Sequence, residues 1–407
     1  MTTLHFSLKI PKMPRIGLSL RLLGMLVAAL LLGQWIPVAF KAFLYAISLS
    51  LKEVLLFVLP VIIFSCLFSC LLGFQGGKAL RFMISLFGIV CLSNFVSTWI
   101  AYGIGSLQLI DLNLSAPFDS TLQTTLVPLW HLELPKWLSN TQALSLGLGC
   151  GIFFSFMPHP RAHAFGNYAN QWTTRFLNKY FIPVLPLFIL GFVLKMQHEG
   201  LLEQMLASYV QLIIMISIAC IVYLLFLFLL AARFDFKQCA LYLRNVLPVA
   251  LMGFSTMSSL ATMPVTIDAA QKNTQDFNLP KAVIPATVNV HMVGVAIAIP
   301  MMAIAILSTF GYEIPSFSVY YQFALYFVLA QFAVAAVPGG GILVMLPLLE
   351  SHLGFSGEMC GLITALYLLF DPAVTLTNVL GNSALVIIVS RLFNKATPTN
   401  KVLEQST

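Results

Sequence analysis

The chain has 407 residues, of which 59% are hydrophobic and 9% charged, with a formal net charge of +7 at pH 7. A soluble globular domain carries about 25% charged residues, so a soluble fold is excluded. The basic residues are spread among short loops instead of clustering, which argues against a nucleic-acid partner and for a membrane topology signal.

Apolar runs near the roughly 20 residues needed to cross a bilayer are expected at Gly17 to Pro37, Leu51 to Phe74, Phe82 to Ser106, Ala143 to Phe156, Phe181 to Leu194, Ile213 to Leu230, Ala282 to Leu307 and Gly361 to Ser390. The fourth and fifth are the shortest. The first follows a basic segment but is long and lacks a small-residue cleavage site, so it reads as an uncleaved helix and not as a signal peptide. Strand-like alternation is missing, which disfavours an outer-membrane barrel. The longest loop is the polar, proline-bearing stretch from Asp111 to Asn140. With the amino terminus inside, only Lys41, Lys52, Lys136 and Lys195 of the 21 basic residues fall outside. This agrees with the positive-inside rule and puts both termini in the cytoplasm. The seven cysteines lie mostly in apolar runs without metal-ligand spacing and read as packing residues, with no disulfide assigned.

Beyond Arg233 the pattern changes. Two interrupted apolar segments, Gly253-Phe-Ser-Thr-Met-Ser-Ser-Leu-Ala-Thr-Met-Pro264 and Ala335-Ala-Val-Pro-Gly-Gly-Gly341, alternate with two long ones. Irregular backbone at membrane depth survives only inside protein or against a hydrated cavity, so a pair of breaks marks a solute site and suggests an inverted internal duplication. Both breaks bring backbone N–H groups at a helix start beside small residues, an arrangement that attracts carboxylates. The competing reading is that Ser258, Ser259 and the glycines only let helices approach closely. Asp371 is the only carboxylate deep in an apolar run. Its burial costs about 2.5–3.5 kcal/mol on the insertion scale, so it faces either a cavity or a structural partner.

The run Phe254 to Thr266, then Pro285-Ala-Thr-Val-Asn289, Val337-Pro-Gly-Gly-Gly341 and Asn378-Val-Leu-Gly-Asn382, resembles the dicarboxylate/amino acid:cation symporter family. Upstream the likeness continues around Pro60 and through Leu92-Ser-Asn-Phe95. The resemblance implies an all-α polytopic fold of eight transmembrane helices and two re-entrant hairpins, at about 236–270 and 318–351, assembled as a homotrimer of elevator type. Residues 1–232 would form mainly the scaffold, with the third helix joining the transport core. Residues 233–394 would form that core and residues 395–407 a cytoplasmic tail. It implies a solute site at Ser258, Ser259, Val337, Pro338, Gly339, Gly340, Asp371, Val374, Thr375 and Asn378, with Asp371 holding an amino group. It implies a cation or proton site at Ser93, Asn94, Asn289, His291, Asn378 and Asn382.

Three positions depart from the family pattern. Val374 stands where an arginine would grip a second carboxylate, so a bound dicarboxylate would leave an anion unpaired and a compact neutral solute is expected. His291 and Asn382 stand where the family has aspartates at its cation sites. Sodium prefers oxygen ligands, whereas imidazole titrates near physiological pH. Sodium coupling is therefore in doubt, and a proton carried by His291 or Asp371 is an alternative, as is a purely structural His291.

The expectation is a secondary active transporter of a small neutral amino acid or related carboxylate in the cell's inner membrane, with a lipid bilayer and a small solute as its partners. No bound cofactor is expected beyond a coupling cation. An ordinary sodium-coupled dicarboxylate/amino acid symporter is the first alternative, and a non-transporting receptor or channel the second. No nucleophile or metal motif supports an enzyme.

Overall fold

A computed structural model describes residues 24–25, 28–29, 31–72, 77–111, 126–135, 137–157, 159–199, 201–334 and 339–393. Regular structure among the described residues is helical throughout. Five of these helices are long and apolar enough to cross a membrane, and the fold is that of an all-α polytopic membrane protein.

The expected span Gly17 to Pro37 lies largely outside the described residues. The first long helix, α1 (Val38–Leu72), starts directly after Pro37. That is a full 13 residues before the apolar run at Leu51, because Lys41 and the polar serines dilute hydropathy without breaking the helix. It is followed by α2 (Gly77–Asp111) and α3 (Asn140–Phe156). Ser139 caps α3 in a reciprocal box with Gln142, which satisfies two otherwise orphaned N–H groups.

Next comes a helix that hydropathy does not reveal, α4 (Pro160–Phe176). It is amphipathic, so a window average conceals it. It leads through a π-helical turn, Leu177–Phe181, into α5 (Ile182–His198). Helices α3, α4 and α5 all pack on α1.

The remaining helices form a second packing group. Helix α6 (Leu201–Ala231) ends in two residues of positive φ, Arg233 and Phe234. Asp235 then caps α7 (Phe236–Thr256) by accepting from the N–H groups of Lys237 and Gln238. One left-handed residue, Met257 at φ 50°, turns the chain into α8 (Ser259–Thr274), giving the first helical hairpin.

The expected run Ala282 to Leu307 is not one helix. It divides into α9 (Leu279–Thr287), an unwound stretch at Val288–Met292, and α10 (Val293–Thr309). Hydropathy sees no interruption because the break is buried, with its carbonyls satisfied by side chains from other helices. The second hairpin comprises α11 (Phe317–Gln331) and α12 (Gly340–Leu353), and α13 (Gly357–Phe393) runs unbroken past Pro372.

Helix α10 is buried along nearly its whole length between α2, α6 and α13. Helix α11 is pinned to α2 by an aromatic stack in which Tyr320 donates to the Thr98 carbonyl at 2.7 Å and Tyr102 to the Pro315 carbonyl at 2.8 Å.

The two packing groups meet through charge as well as apolar contact. Lys52 of α1 pairs with Glu350 of α12 at 2.6 Å. Lys195 of α5 pairs with Glu199 at 2.6 Å and with Glu358 of α13 at 2.9 Å. Lys41 donates to Gln197 at 2.9 Å. Three of the bases assigned to the outer face by the topology count are thus neutralised or hydrogen-bonded, and Lys136 lies outside the described residues.

Candidate functional site

The tips of the two hairpins converge on the middle of α13. Ser258 is the N-cap of α8, its hydroxyl accepting from the Ala261 N–H at 3.2 Å, while Thr262 donates back to the Ser258 carbonyl at 2.9 Å. This locks a helix N-terminus, with its outward-facing N–H groups, against a small cavity of about 50 Å³. Ser258, Ser259, Asn289, Gly339, Gly340, Asp371, Thr375 and Asn378 all line that cavity.

Asp371 organises it. The carboxylate is buried and accepts from the Gly339 N–H at 3.2 Å, and Tyr367 lines the cavity beside it. Gly339 adopts φ 72°, a left-handed conformation that glycine tolerates without strain. An added Cβ there would lie 2.5 Å from a Leu368 methyl carbon, so the hairpin tip reaches Asp371 only because the side chain is a hydrogen. The cavity of about 50 Å³ has room for only a few water molecules, since one water needs about 10–15 Å³ by this measure. Drug-sized ligands occupy about 300–1,000 Å³.

The remaining expected residues are placed unevenly. Val337 and Pro338 lie outside the described residues. Val374 is fully enclosed and is not among the cavity-lining residues; its carbonyl faces the backbone of Gly294. Asn289, expected at the cation or proton site, faces the cavity instead.

Ser93, Asn94, His291 and Asn382 form a separate polar cluster around the unwound stretch between α9 and α10. His291 Nε2 sits 2.9 Å from the Ser93 hydroxyl, and Tyr223 of α6 donates to the Ser93 carbonyl at 3.0 Å. Asn94 Nδ2 donates to the Val290 carbonyl at 2.7 Å. Asn382 Nδ2 donates to the His291 carbonyl at 3.1 Å and to the Asn378 carbonyl at 3.0 Å. Gln331 of α11 reaches the Met292 carbonyl at 3.5 Å. Three successive carbonyls are therefore met by carboxamides from three different helices. Asn378 links cluster and cavity, because its Oδ1 accepts the Gly294 N–H at 2.9 Å and so caps the start of α10.

The amide donors leave their own oxygens behind. Among the described residues Asn94 Oδ1, Asn382 Oδ1, Gln331 Oε1 and His291 Nδ1 are all buried without a hydrogen-bond partner, each a cost of about 1–3 kcal/mol. The sequence reading missed Gln331 and Tyr367. Tyr367 lies one turn before Asp371 on the same helix face, and Gln331 is a lone amide at the end of an apolar helix. Both spacings were visible in principle, but neither carried weight without the fold. Met257, Val288, Met292, Val295, Val334 and Gly341 complete the cavity wall; Met257, Val288 and Gly341 lie in the motifs quoted above, whereas Val295 and Val334 had no sequence signal.

Two helical hairpins enclosing an acidic cavity beside a broken helix define a membrane transporter architecture. The sodium:dicarboxylate symporter family model matches residues 18–392, and the chain belongs to that family, which is one of transporters and not of enzymes. The protein is thus a multi-pass membrane protein. It is similar to excitatory amino acid transporter 1 of Homo sapiens, 28% identical over 216 residues that cover 52% of this chain and 39% of that protein. Excitatory amino acid transporter 5 of Homo sapiens is 26% identical over 223 residues, covering 53% and 39%. An excitatory amino acid transporter of Caenorhabditis elegans is 27% identical over 197 residues, covering 48% and 38%. The matched segments span about two fifths of the length of these relatives.

Proposed function

We propose that this protein is a secondary transporter of a compact neutral amino acid or a related small carboxylate, and that transport depends only weakly on sodium. Asp371 holds the solute's ammonium group, which displaces the Gly339 N–H and opens the second hairpin. The N-terminus of α8 at Ser258 and Ser259 receives the carboxylate through backbone N–H groups. Thr375 and Asn378 supply the remaining polar contacts. The family model is named for dicarboxylates, but Val374 offers no charge for a second carboxylate.

One observation carries the reading on coupling: the carbonyls of Val290, His291 and Met292 already have amide donors from Asn94, Asn382 and Gln331. A hard cation needs free oxygens, and here neutral N–H groups take that place. The solute site moves by an elevator motion of α2 and α6–α13 against α1 and α3–α5, in a homotrimer of the inner membrane with both termini cytoplasmic. Helix α6 is taken into the core instead of the scaffold expected for residues 1–232 because it packs on α10 and α13.

A different observation favours the usual sodium-coupled mode. The three orphaned amide oxygens, Asn94 Oδ1, Asn382 Oδ1 and Gln331 Oε1, would turn toward a cation on rotation of their carboxamides and join the same carbonyls as an all-oxygen set. Uptake into proteoliposomes decides between the two. Labelled alanine, serine and aspartate are offered under an inward sodium gradient, with choline replacing sodium, and under a pH gradient. Saturable uptake of a neutral amino acid that survives choline replacement is expected. Uptake confined to aspartate with sodium would overturn the proposal.

A further inference from the structure

Away from the solute site, a groove of about 460 Å³ lies where α1, α3 and α4 meet. Its walls are aromatic. Phe64 and Phe68 of α1 stack at 5.3 Å, Phe154 of α3 meets Phe68 edge-on at 6.2 Å, and Phe165 of α4 lies 6.0 Å from Phe68. The basic side chains lining it are Arg161 and His159, both exposed and both at the start of α4. Among the described residues the Arg161 guanidinium has no ion pair.

Charge around the groove has one sign. The sequence from Leu134 to His198 contains no Asp or Glu, while Arg161, Arg175 and Lys179 lie on or just after α4. Helix α4 is held on α1 at one face, where a Cβ added to Gly166 would come within 2.7 Å of Leu72. Beyond the groove it exposes Tyr168 and Trp172, and Phe165 is exposed at the groove itself. A helix with bases, exposed aromatics and no acid is suited to the headgroup region of a bilayer, and it begins where the apolar part of α3, Ser145–Phe156, ends.

We propose that this groove binds one anionic phospholipid, an acyl chain lying among the phenylalanine rings and the phosphate resting on Arg161 and His159. Charge selects the occupant. A zwitterionic lipid would offer its phosphate together with a repelled ammonium. The site is independent of the solute cavity and does not rest on the transport reading.

The test is native mass spectrometry of the delipidated full-length protein in detergent, titrated with dioleoylphosphatidylglycerol or dioleoylphosphatidylcholine. One tightly bound phosphatidylglycerol per chain is expected, preferred over phosphatidylcholine. Arg161→Gln with His159→Gln should lower phosphatidylglycerol affinity roughly fivefold to tenfold and leave phosphatidylcholine binding unchanged. Both residues are exposed, so the variant should fold. Ala162→Phe, which fills the groove, should reduce binding of both lipids at this site. An excess of inorganic phosphate should fail to displace the lipid. The proposal is overturned by equal binding of the two lipids, by an unchanged affinity in the double variant, or by displacement with phosphate alone. It is overturned equally if the double variant alters the oligomeric mass and not the lipid count, since a second copy would then be the occupant.

Discussion

Asn382→Asp is the sharpest probe of the polar cluster. Asn382 is fully buried, its Nδ2 serving the carbonyls of His291 and Asn378 while its Oδ1 has no partner. A carboxylate has no N–H to give. The Asn378 carbonyl lies one helical turn back and is the smaller loss, but the His291 carbonyl sits in the unwound stretch and depends on this donor. The substitution therefore leaves a buried carbonyl unmet, at about 1–3 kcal/mol, and adds a buried charge without a counter-ion, for a total of about 3–5 kcal/mol. Sodium offsets much of that loss, because the new anion and the two carbonyls then form an oxygen site. Ligand at 100 times its Kd contributes about 2.7 kcal/mol, so most of the loss is recoverable. The assay is thermal unfolding of the purified protein in sodium chloride and in choline chloride. The parent should melt at nearly the same temperature in both, whereas the variant should melt lower in choline and recover in sodium. A variant as stable as the parent in choline, or a parent that already shows the full sodium response, would refute the reasoning.

Asp371→Asn should keep the Gly339 contact but lose the charge that meets an ammonium; losing a charge-assisted hydrogen bond of about 1.5–3 kcal/mol weakens neutral amino acid binding roughly 10- to 150-fold, and unchanged affinity by isothermal titration would count against the assignment. Val374→Arg should destabilise the solute-free protein, since the enclosed site and the cavity of about 50 Å³ leave no room for a guanidinium, and aspartate should restore its melting temperature; a variant as stable as the parent without solute would contradict the packing. Lys195→Met should cost about 3–5 kcal/mol because it strands the buried Glu199 carboxylate, and adding Glu199→Gln should recover part of that loss in the same unfolding assay.

The sequence by itself determined the membrane setting, the family likeness, the two broken segments and seven of the residues that line the cavity between them, Ser258, Ser259, Gly339, Gly340, Asp371, Thr375 and Asn378. Each of these is written in local terms. A bilayer demands long apolar runs, and a hairpin tip demands residues such as Ser258, Gly339 and Gly340 that turn or approach closely. Asp371 stood out because a carboxylate at membrane depth is costly wherever it points. The tertiary structure alone decided what meets what. Hydropathy counts side chains and not hydrogen bonds, so it read Ala282 to Leu307 as one span, although Asn94, Asn382 and Gln331 arrive from three other helices to satisfy the break inside it. Helix α4 stayed hidden because an amphipathic face averages to nothing in a window. The sequence also could not show that Asn289 lines the cavity while His291, two residues on, turns to Ser93. Neighbours in an unwound segment diverge by backbone dihedrals, which packing sets and residue type does not.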